Sequence, residues 1–160
     1  MMVKKNINLS FFDKEKIPSA KGLSFSIIVS EWNPIITNSL YKGAAKTLID
    51  CGACKNNINR FCVPGSYELL FGAKVAAKSN PNAIICLGSV IQGETKHFDF
   101  ICNAVSQGIK DLNISLDVPV IFGLLTDNTM EQAIDRSGGK YGNKGVEAAI
   151  SAIKMAVLNK

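Results

Sequence analysis

A three-layer α/β/α sandwich around a four-stranded parallel sheet is the fold class that this 160-residue chain predicts. Three observations carry the expectation. Four short apolar runs, at residues 23–30, 59–63, 83–90 and 118–125, have the length and composition of buried strands. Longer segments, whose apolar residues recur every three or four positions, separate and follow them as amphipathic helices would. Strand and helix therefore alternate, and right-handed crossovers of that kind lay helices over both faces of a parallel sheet. A single domain, residues 1–160, holds all of these elements, and a chain of this length buries roughly two-thirds of the surface it exposes when unfolded.

The first strand, 23–30, leads through Glu31-Trp32 to Asn33-Pro34, an N-cap candidate followed by proline at the first helical position. Ile36, Leu40, Ala44, Leu48 and Ile49 keep helical spacing until Gly52 stops the run. Pro64-Gly65 closes the second strand, and a helix over 67–79 ends before the Asn80-Pro81-Asn82 turn. The third strand runs into a small polar loop, behind which Phe98, Ile101, Cys102, Val105, Ile109 and Leu112 mark one face of a helix. After the fourth strand, Thr126-Asp127-Asn128-Thr129 supplies caps for a short helix through Arg136. Gly138-Gly139 breaks that helix, and residues 145–159 form the last one. Residues 1–22 are an N-terminal arm. Within it, residues 3–11 carry a period-two pattern (Ile7, Leu9, Phe11), that of an extra edge strand pairing either within the chain or with a neighbouring subunit.

Charge and cysteine usage narrow the function. Lysines are scattered singly at 21, 42, 46, 55, 74, 78, 110 and 154 within a net charge of +5, and no basic run with interleaved aromatics occurs, which argues against nucleic acid. The concentration at Arg136, Lys140 and Lys144 is the one where local charge suits a function. Five cysteines (Cys51, Cys54, Cys62, Cys86, Cys102) are an odd number, and three lie in apolar periodic runs, as free thiols of a reducing cytoplasm do. Cys51 and Cys54 sit at a helix end without a second ligand pair, so they read as a bland pair rather than a redox or zinc motif. With no basic, apolar leader and no run near the ~18–20 apolar residues of a membrane span, a soluble cytoplasmic protein is expected.

In a parallel sheet the loops after the strands converge on one edge, where open α/β sheets bind ligands. Here those loops hold Glu31-Trp32-Asn33, Pro64-Gly65-Ser66-Tyr67-Glu68, residues 89–97 and Thr126-Asp127. His97, the only histidine, follows Gly93-Glu94-Thr95-Lys96 at a helix start whose free amides attract anions. Imidazole is also the side chain that moves protons most readily near neutral pH. An aromatic ring, a carboxylate, hydroxyls and helix amides together suit a planar, polyhydroxylated or phosphorylated ligand. None of the usual nucleotide signatures is present: no Walker loop, no G-x-G-x-x-G after the first strand and no acidic metal cluster. Structural roles also fit each residue: Trp32 as a cover for the core, Glu68 as a helix-start charge, Thr95 as an N-cap, His97 as a capping group, and Arg136 and Lys144 as surface charges.

Four spaced segments point further: Trp32-Asn33, Val63-Pro64-Gly65-Ser66-Tyr67-Glu68, residues 87–99, and Gly142-Asn143-Lys144-Gly145-Val146-Glu147-Ala148-Ala149. Together they resemble the 6,7-dimethyl-8-ribityllumazine synthase family of riboflavin biosynthesis, over the chain from about residue 23 to its end. The resemblance implies a flavodoxin-like sandwich and a transferase that uses no metal or organic cofactor. Its reaction would condense 5-amino-6-(D-ribitylamino)uracil with 3,4-dihydroxy-2-butanone 4-phosphate, releasing phosphate and water. By position, Trp32, with Asn33 beside it, matches the aromatic that stacks on the pyrimidine. Ser66, Tyr67 and Glu68 match the ribityl-binding segment, and Ser89, Val90 and Ile91 the segment that meets the pyrimidine through its backbone. Glu94 and Thr95 fall at the phosphate turn and His97 at the proton-transfer position. Phe122, Arg136 and Lys144 fall where the family draws residues from an adjacent subunit.

The same resemblance implies a homo-oligomer of at least a pentamer, with pentamers, decamers and shells of sixty subunits known among members. The compact segment 136–144, without an insertion, favours the shell, and riboflavin synthase is a further expected partner. Ser66-Tyr67 departs from a frequent Ala-Phe pair, and Lys96 stands where many members have a smaller residue. A non-catalytic shell paralogue would be expected to lose His97 or Arg136, and both are present. A flavin carrier or an archaeal type of riboflavin synthase would not need the full ribityl and phosphate segments.

Overall fold

The computed structural model describes residues 8–160. Four parallel strands, β1 (Phe25–Ser30), β2 (Ile58–Val63), β3 (Ala83–Ile91) and β4 (Val120–Asp127), form one sheet in the order β2-β1-β3-β4. Helices α1 (Pro34–Asp50), α2 (Leu69–Ala77), α3 (His97–Ser115), α4 (Met130–Arg136) and α5 (Lys144–Leu158) alternate with or follow them. The predicted sandwich is thus present, with every strand boundary within two residues of its sequence-based position.

Side-chain alternation along the strands builds two cores, one on each sheet face. Phe25, Ile27, Val29, Ile85 and Leu87 pack beneath α1 and α5. Ile28, Ile84, Cys86 and Leu124 pack beneath α2 and α3. All six residues of β1 are buried because it is central and covered on both faces. Edge strand β2 is only partly covered: Ile58, Phe61 and Val63 are half-buried, and Asn59, Arg60 and Cys62 are exposed. Each fully buried Ile or Leu here stabilises the fold by about 1.5–3 kcal/mol. Helices α1 and α5 approach closely at Gly145, where a Cβ would run into the Leu40 carbonyl.

Local expectations needed four corrections. Asn33 occupies the N-cap position of α1 but does not cap it. Its backbone is left-handed (φ 54°), and its side-chain amide instead donates to the Ser89 carbonyl at 3.0 Å, joining β1 to β3 across the sheet edge. The second helix begins at Leu69, so Tyr67 and Glu68 stay in the preceding turn. Gly138-Gly139 does more than break α4: strand β5 (Ser137–Gly139) pairs antiparallel with β6 (Gly142–Asn143). Lastly, residues 8–11 of the expected N-terminal strand contain a turn at Leu9-Ser10, and the Leu9 amide donates to the Tyr141 carbonyl of the small hairpin. The remainder of that stretch, residues 3–7, lies outside the described residues. Other caps follow the sequence: Thr129 accepts from the Gln132 amide, and Gly52, with φ 108°, follows the last turn of α1.

Candidate active site

The carboxyl ends of β1, β2 and β3 open on a cavity of about 630 Å³. From the β1 loop come Trp32 and Asn33, and from the β2 loop Gly65, Ser66, Tyr67 and Glu68. Strand β3 contributes Ser89, Val90 and Ile91, and the loop and helix after it Gly93, Thr95, His97, Phe98 and Ile101. Ten residues expected from the sequence therefore meet in one place. The physical cause is the parallel sheet, which sends each strand-end loop to the same edge.

Inside the cavity the polar groups differ in how firmly they are held. Trp32 is 69% exposed and Tyr67 56%, two rings with faces open to a ligand. Ser66 and Ser89 are buried, and the Ser89 hydroxyl has no hydrogen-bond partner among the described residues. Gly88 makes room for them: a Cβ there would lie 2.7 Å from Ser66 Oγ and 2.7 Å from Leu124 Cδ1. Glu68 folds its carboxylate over Gly65, 3.0 Å from where a Cβ would be.

The turn at residues 93–97 is exposed, and α3 starts at His97 itself. Thr95 Oγ1 accepts from the His97 amide at a long 3.4 Å, so the first turn of α3 retains donors that an anion can engage. Lys96 is exposed beside them. Among the described residues no group of three or more His, Cys, Asp or Glu is placed to hold a metal ion.

Four expected site residues lie apart from this cavity. Glu94 is exposed on the turn but does not line it. Phe122, on edge strand β4, is 37% exposed. Lys144 opens α5 and is half-buried. Arg136 ends α4, where its Nη2 donates to Glu147 Oε2 at 2.8 Å and its Nη1 to the Tyr141 carbonyl at 3.3 Å. The pair is mostly shielded from solvent, so it is stronger than an exposed ion pair of the same length.

The sequence reading missed three things. In the sequence Phe98 and Ile101 mark only the inner face of α3, yet that face overhangs the sheet end and walls the cavity. Glu147 lies within the motif at 142–149, where its sequence position indicates no role. Asp127 was read as a loop residue, but it ends β4, is buried, and has its carboxyl pushed up by that burial and partly drawn back by the Arg136 guanidinium. A carboxylate two residues past the apolar run 118–125, in phase with buried Leu125, is the available signal.

Comparison with known proteins identifies the family. A family profile described as 6,7-dimethyl-8-ribityllumazine synthase matches residues 22–160. A protein of that name from Flavobacterium johnsoniae is 58% identical over 160 residues, covering 99% of this chain and 84% of the relative. Another from Christiangramia forsetii is 58% identical over 155 residues, 96% of this chain and 92% of its own length. A third, from Cytophaga hutchinsonii, is 56% identical over 149 residues, 92% and 93% of the two chains.

Proposed function

The chain belongs to the 6,7-dimethyl-8-ribityllumazine synthase family, and from that premise we propose how its residues divide the reaction among them. The protein is a transferase of riboflavin biosynthesis. It condenses 5-amino-6-(D-ribitylamino)uracil with 3,4-dihydroxy-2-butanone 4-phosphate, with loss of phosphate and water.

Trp32 stacks on the pyrimidine, with Asn33 fixing the loop that carries it. Ser66, Tyr67 and Glu68 take the ribityl hydroxyls, and the backbone of Ser89, Val90 and Ile91 meets the ring edge. Glu94 and Thr95 form the phosphate turn with the first amides of α3. The amine adds to the ketone carbon, the adduct loses water to give an imine, phosphate leaves, and the ribityl-bearing nitrogen attacks the remaining carbonyl, closing the second ring with loss of a second water. His97 carries protons between the amine nitrogen and the departing oxygens. Holding both substrates in line supplies much of the remaining acceleration.

Arg136, Phe122 and Lys144 complete the site of a neighbouring subunit, with the Arg136 guanidinium gripping two phosphate oxygens. The separation of Arg136 from the cavity of its own chain supports that assignment. We infer a pentamer as the smallest active form and the sixty-subunit shell as its higher assembly. The open edge of β2 suits the N-terminal arm of a neighbour, and riboflavin synthase remains the further partner. No helix of the described residues is long and apolar enough to cross a membrane, and the five cysteines are free, both compatible with work in the cytoplasm.

The observation that carries this assignment of roles is the convergence of ten expected residues on one 630 Å³ cavity. Mixing the two substrates with purified protein tests the reading: lumazine absorbance should rise in step with phosphate release. Phosphate release without lumazine, or neither, would overturn it.

A further inference from the structure

Arg136 rests on two partners. Its Nη2 donates to Glu147 Oε2 at 2.8 Å and its Nη1 to the Tyr141 carbonyl at 3.3 Å. The first partner is a side chain on α5, a helix packed into the core. The second is a backbone oxygen at the tip of the β5–β6 hairpin, whose strands are three and two residues long. A two-stranded ribbon that short has little stability of its own. Gly138 and Gly142, on either side of the tip, both have positive φ (118° and 92°), where only glycine leaves the chain so unrestricted. The direction of the Tyr141 carbonyl therefore depends on what packs against the hairpin.

The base of the hairpin is tied to α1: Ser39 Oγ donates to the Ser137 carbonyl, and Asn143 Nδ2 donates to the Ser39 carbonyl at 3.1 Å. At the tip, the Tyr141 amide donates to the Asp135 carbonyl of α4 at 2.9 Å. The Tyr141 carbonyl itself is engaged by the N-terminal arm. The Leu9 amide donates to it at 3.0 Å, a shorter bond than the one from Arg136. Residues 8–11 present that amide from a β-turn closed by the Phe11 amide on the Asn8 carbonyl at 3.2 Å. Asn8 Oδ1 locks the turn by accepting from the Ser10 amide at 3.0 Å and the Ser10 hydroxyl at 2.8 Å. The turn lies directly on Gly142, where a Cβ would run into Asn8 Oδ1 and Ser10 Oγ. A carbonyl oxygen has two lone pairs. Those of Tyr141 serve Leu9 and Arg136.

We propose that the arm segment 8–10 is a positioning element for Arg136: through the Leu9 N–H it fixes the Tyr141 carbonyl on which the guanidinium rests. A guanidinium has five N–H donors. Glu147 and Tyr141 engage two of them, and the others remain for a phosphate. Restricting the long Arg side chain to one arrangement in advance reduces the freedom lost when it grips an anion. The arm thereby becomes part of the machinery of a site that none of its side chains touches. The consequence for substrate rests on the reading of Arg136 as the phosphate-binding residue.

The test uses the full-length protein. Leu9→Pro deletes the N–H at the second position of a β-turn, where proline fits the backbone, and Leu9→Ala keeps the N–H. Leu9→Pro should raise KM for the butanone phosphate roughly three- to tenfold and leave KM for the ribityl pyrimidine in place. Leu9→Ala should stay near the wild-type value, and in the Arg136→Ala background Leu9→Pro should add nothing. Asn8→Ala, which unlocks the turn without altering the Leu9 amide, should move the same KM in the same direction. With KM raised in Arg136→Ala, an unchanged KM in both Leu9→Pro and Asn8→Ala, an equal rise in Leu9→Ala, or full additivity with Arg136→Ala would overturn the proposal. A second readout needs no substrate: hydrogen exchange over residues 137–143, followed by mass spectrometry, should quicken in Leu9→Pro. Unchanged exchange would refute the brace. Faster exchange together with an ordinary KM in Arg136→Ala would instead refute only the phosphate assignment.

Discussion

The Arg136 guanidinium bonds to the Glu147 carboxylate at 2.8 Å, and neither residue lines the cavity beside His97. The cation proposed to bind the phosphate is thus held on another part of the same chain. If each site joins two subunits, inactive His97→Ala and Arg136→Ala chains should rescue each other. Refolded as a one-to-one mixture, they should regain about a quarter of wild-type activity, because one site in four draws both intact residues. A mixture no more active than its components would place the complete site within a single chain.

His97 stands at the first residue of α3 and reaches the cavity without being enclosed by it. Its removal should therefore spare the structure and slow the chemistry. His97→Ala is expected to lower kcat by about a hundredfold or more, the usual range for a lost proton-transfer group, while ribityl-pyrimidine binding changes little. Unchanged turnover would remove His97 from the mechanism.

The Ser89 hydroxyl is buried and has no partner among the described residues. Deleting it should leave the free protein as stable as before or slightly more so, since an unpaired buried polar group is removed. Ser89→Ala should nonetheless weaken ribityl-pyrimidine binding roughly tenfold if the hydroxyl finds its partner on that ligand. Calorimetry of ligand binding and of unfolding measures both, and equal affinities would confine Ser89 to its backbone contact.

Gly88 faces Ser66 Oγ and Leu124 Cδ1 at 2.7 Å from its would-be Cβ, with Leu69 Cδ1 at 3.0 Å. A methyl group there has to push the β3 core and the Ser66 loop apart. Gly88→Ala should cost about 1–3 kcal/mol and lower Tm by several degrees, with a higher KM for the ribityl pyrimidine. A wild-type melting curve would show that the neighbouring side chains give way freely.

Cys86 is fully buried in β3, and burial pushes its thiol up to about 12. At pH 8 a thiol reagent should modify exposed Cys54 and Cys62 and leave Cys86 unreacted until the protein unfolds. The linkage sign follows from the raised value. The protonated thiol's contribution to stability is complete below the ordinary value near 9 and is lost as pH rises from there toward 12. Mass spectrometry of labelled peptides would expose an error if Cys86 reacted as fast as Cys54.

Local pattern was enough to locate most of the fold and much of the site. Apolar runs of strand length and the 3.6-residue rhythm between them depend on near neighbours in the chain, so the four strands and five helices were legible, as were the loops that hold Trp32, Ser66 and His97. Periodicity carries less about the edges of elements. Tyr67 and Glu68 fit a helical rhythm, yet they stay in the turn that delivers them to the cavity.

What depended on distant residues could not be read in that way. Nothing near Asn33 in the chain indicates that its amide reaches the Ser89 carbonyl, 56 residues onward. The order β2-β1-β3-β4 decides that Asp127 lies beside Ile91 and on the α5 face, and only then does its carboxylate meet the field of Arg136. Likewise, the wall formed by Phe98 and Ile101 exists because α3 overhangs the end of the sheet it packs on. Helix and strand rhythm arises from interactions a few residues apart, whereas burial, ion pairing and the shape of a cavity arise between chain segments that only packing brings together.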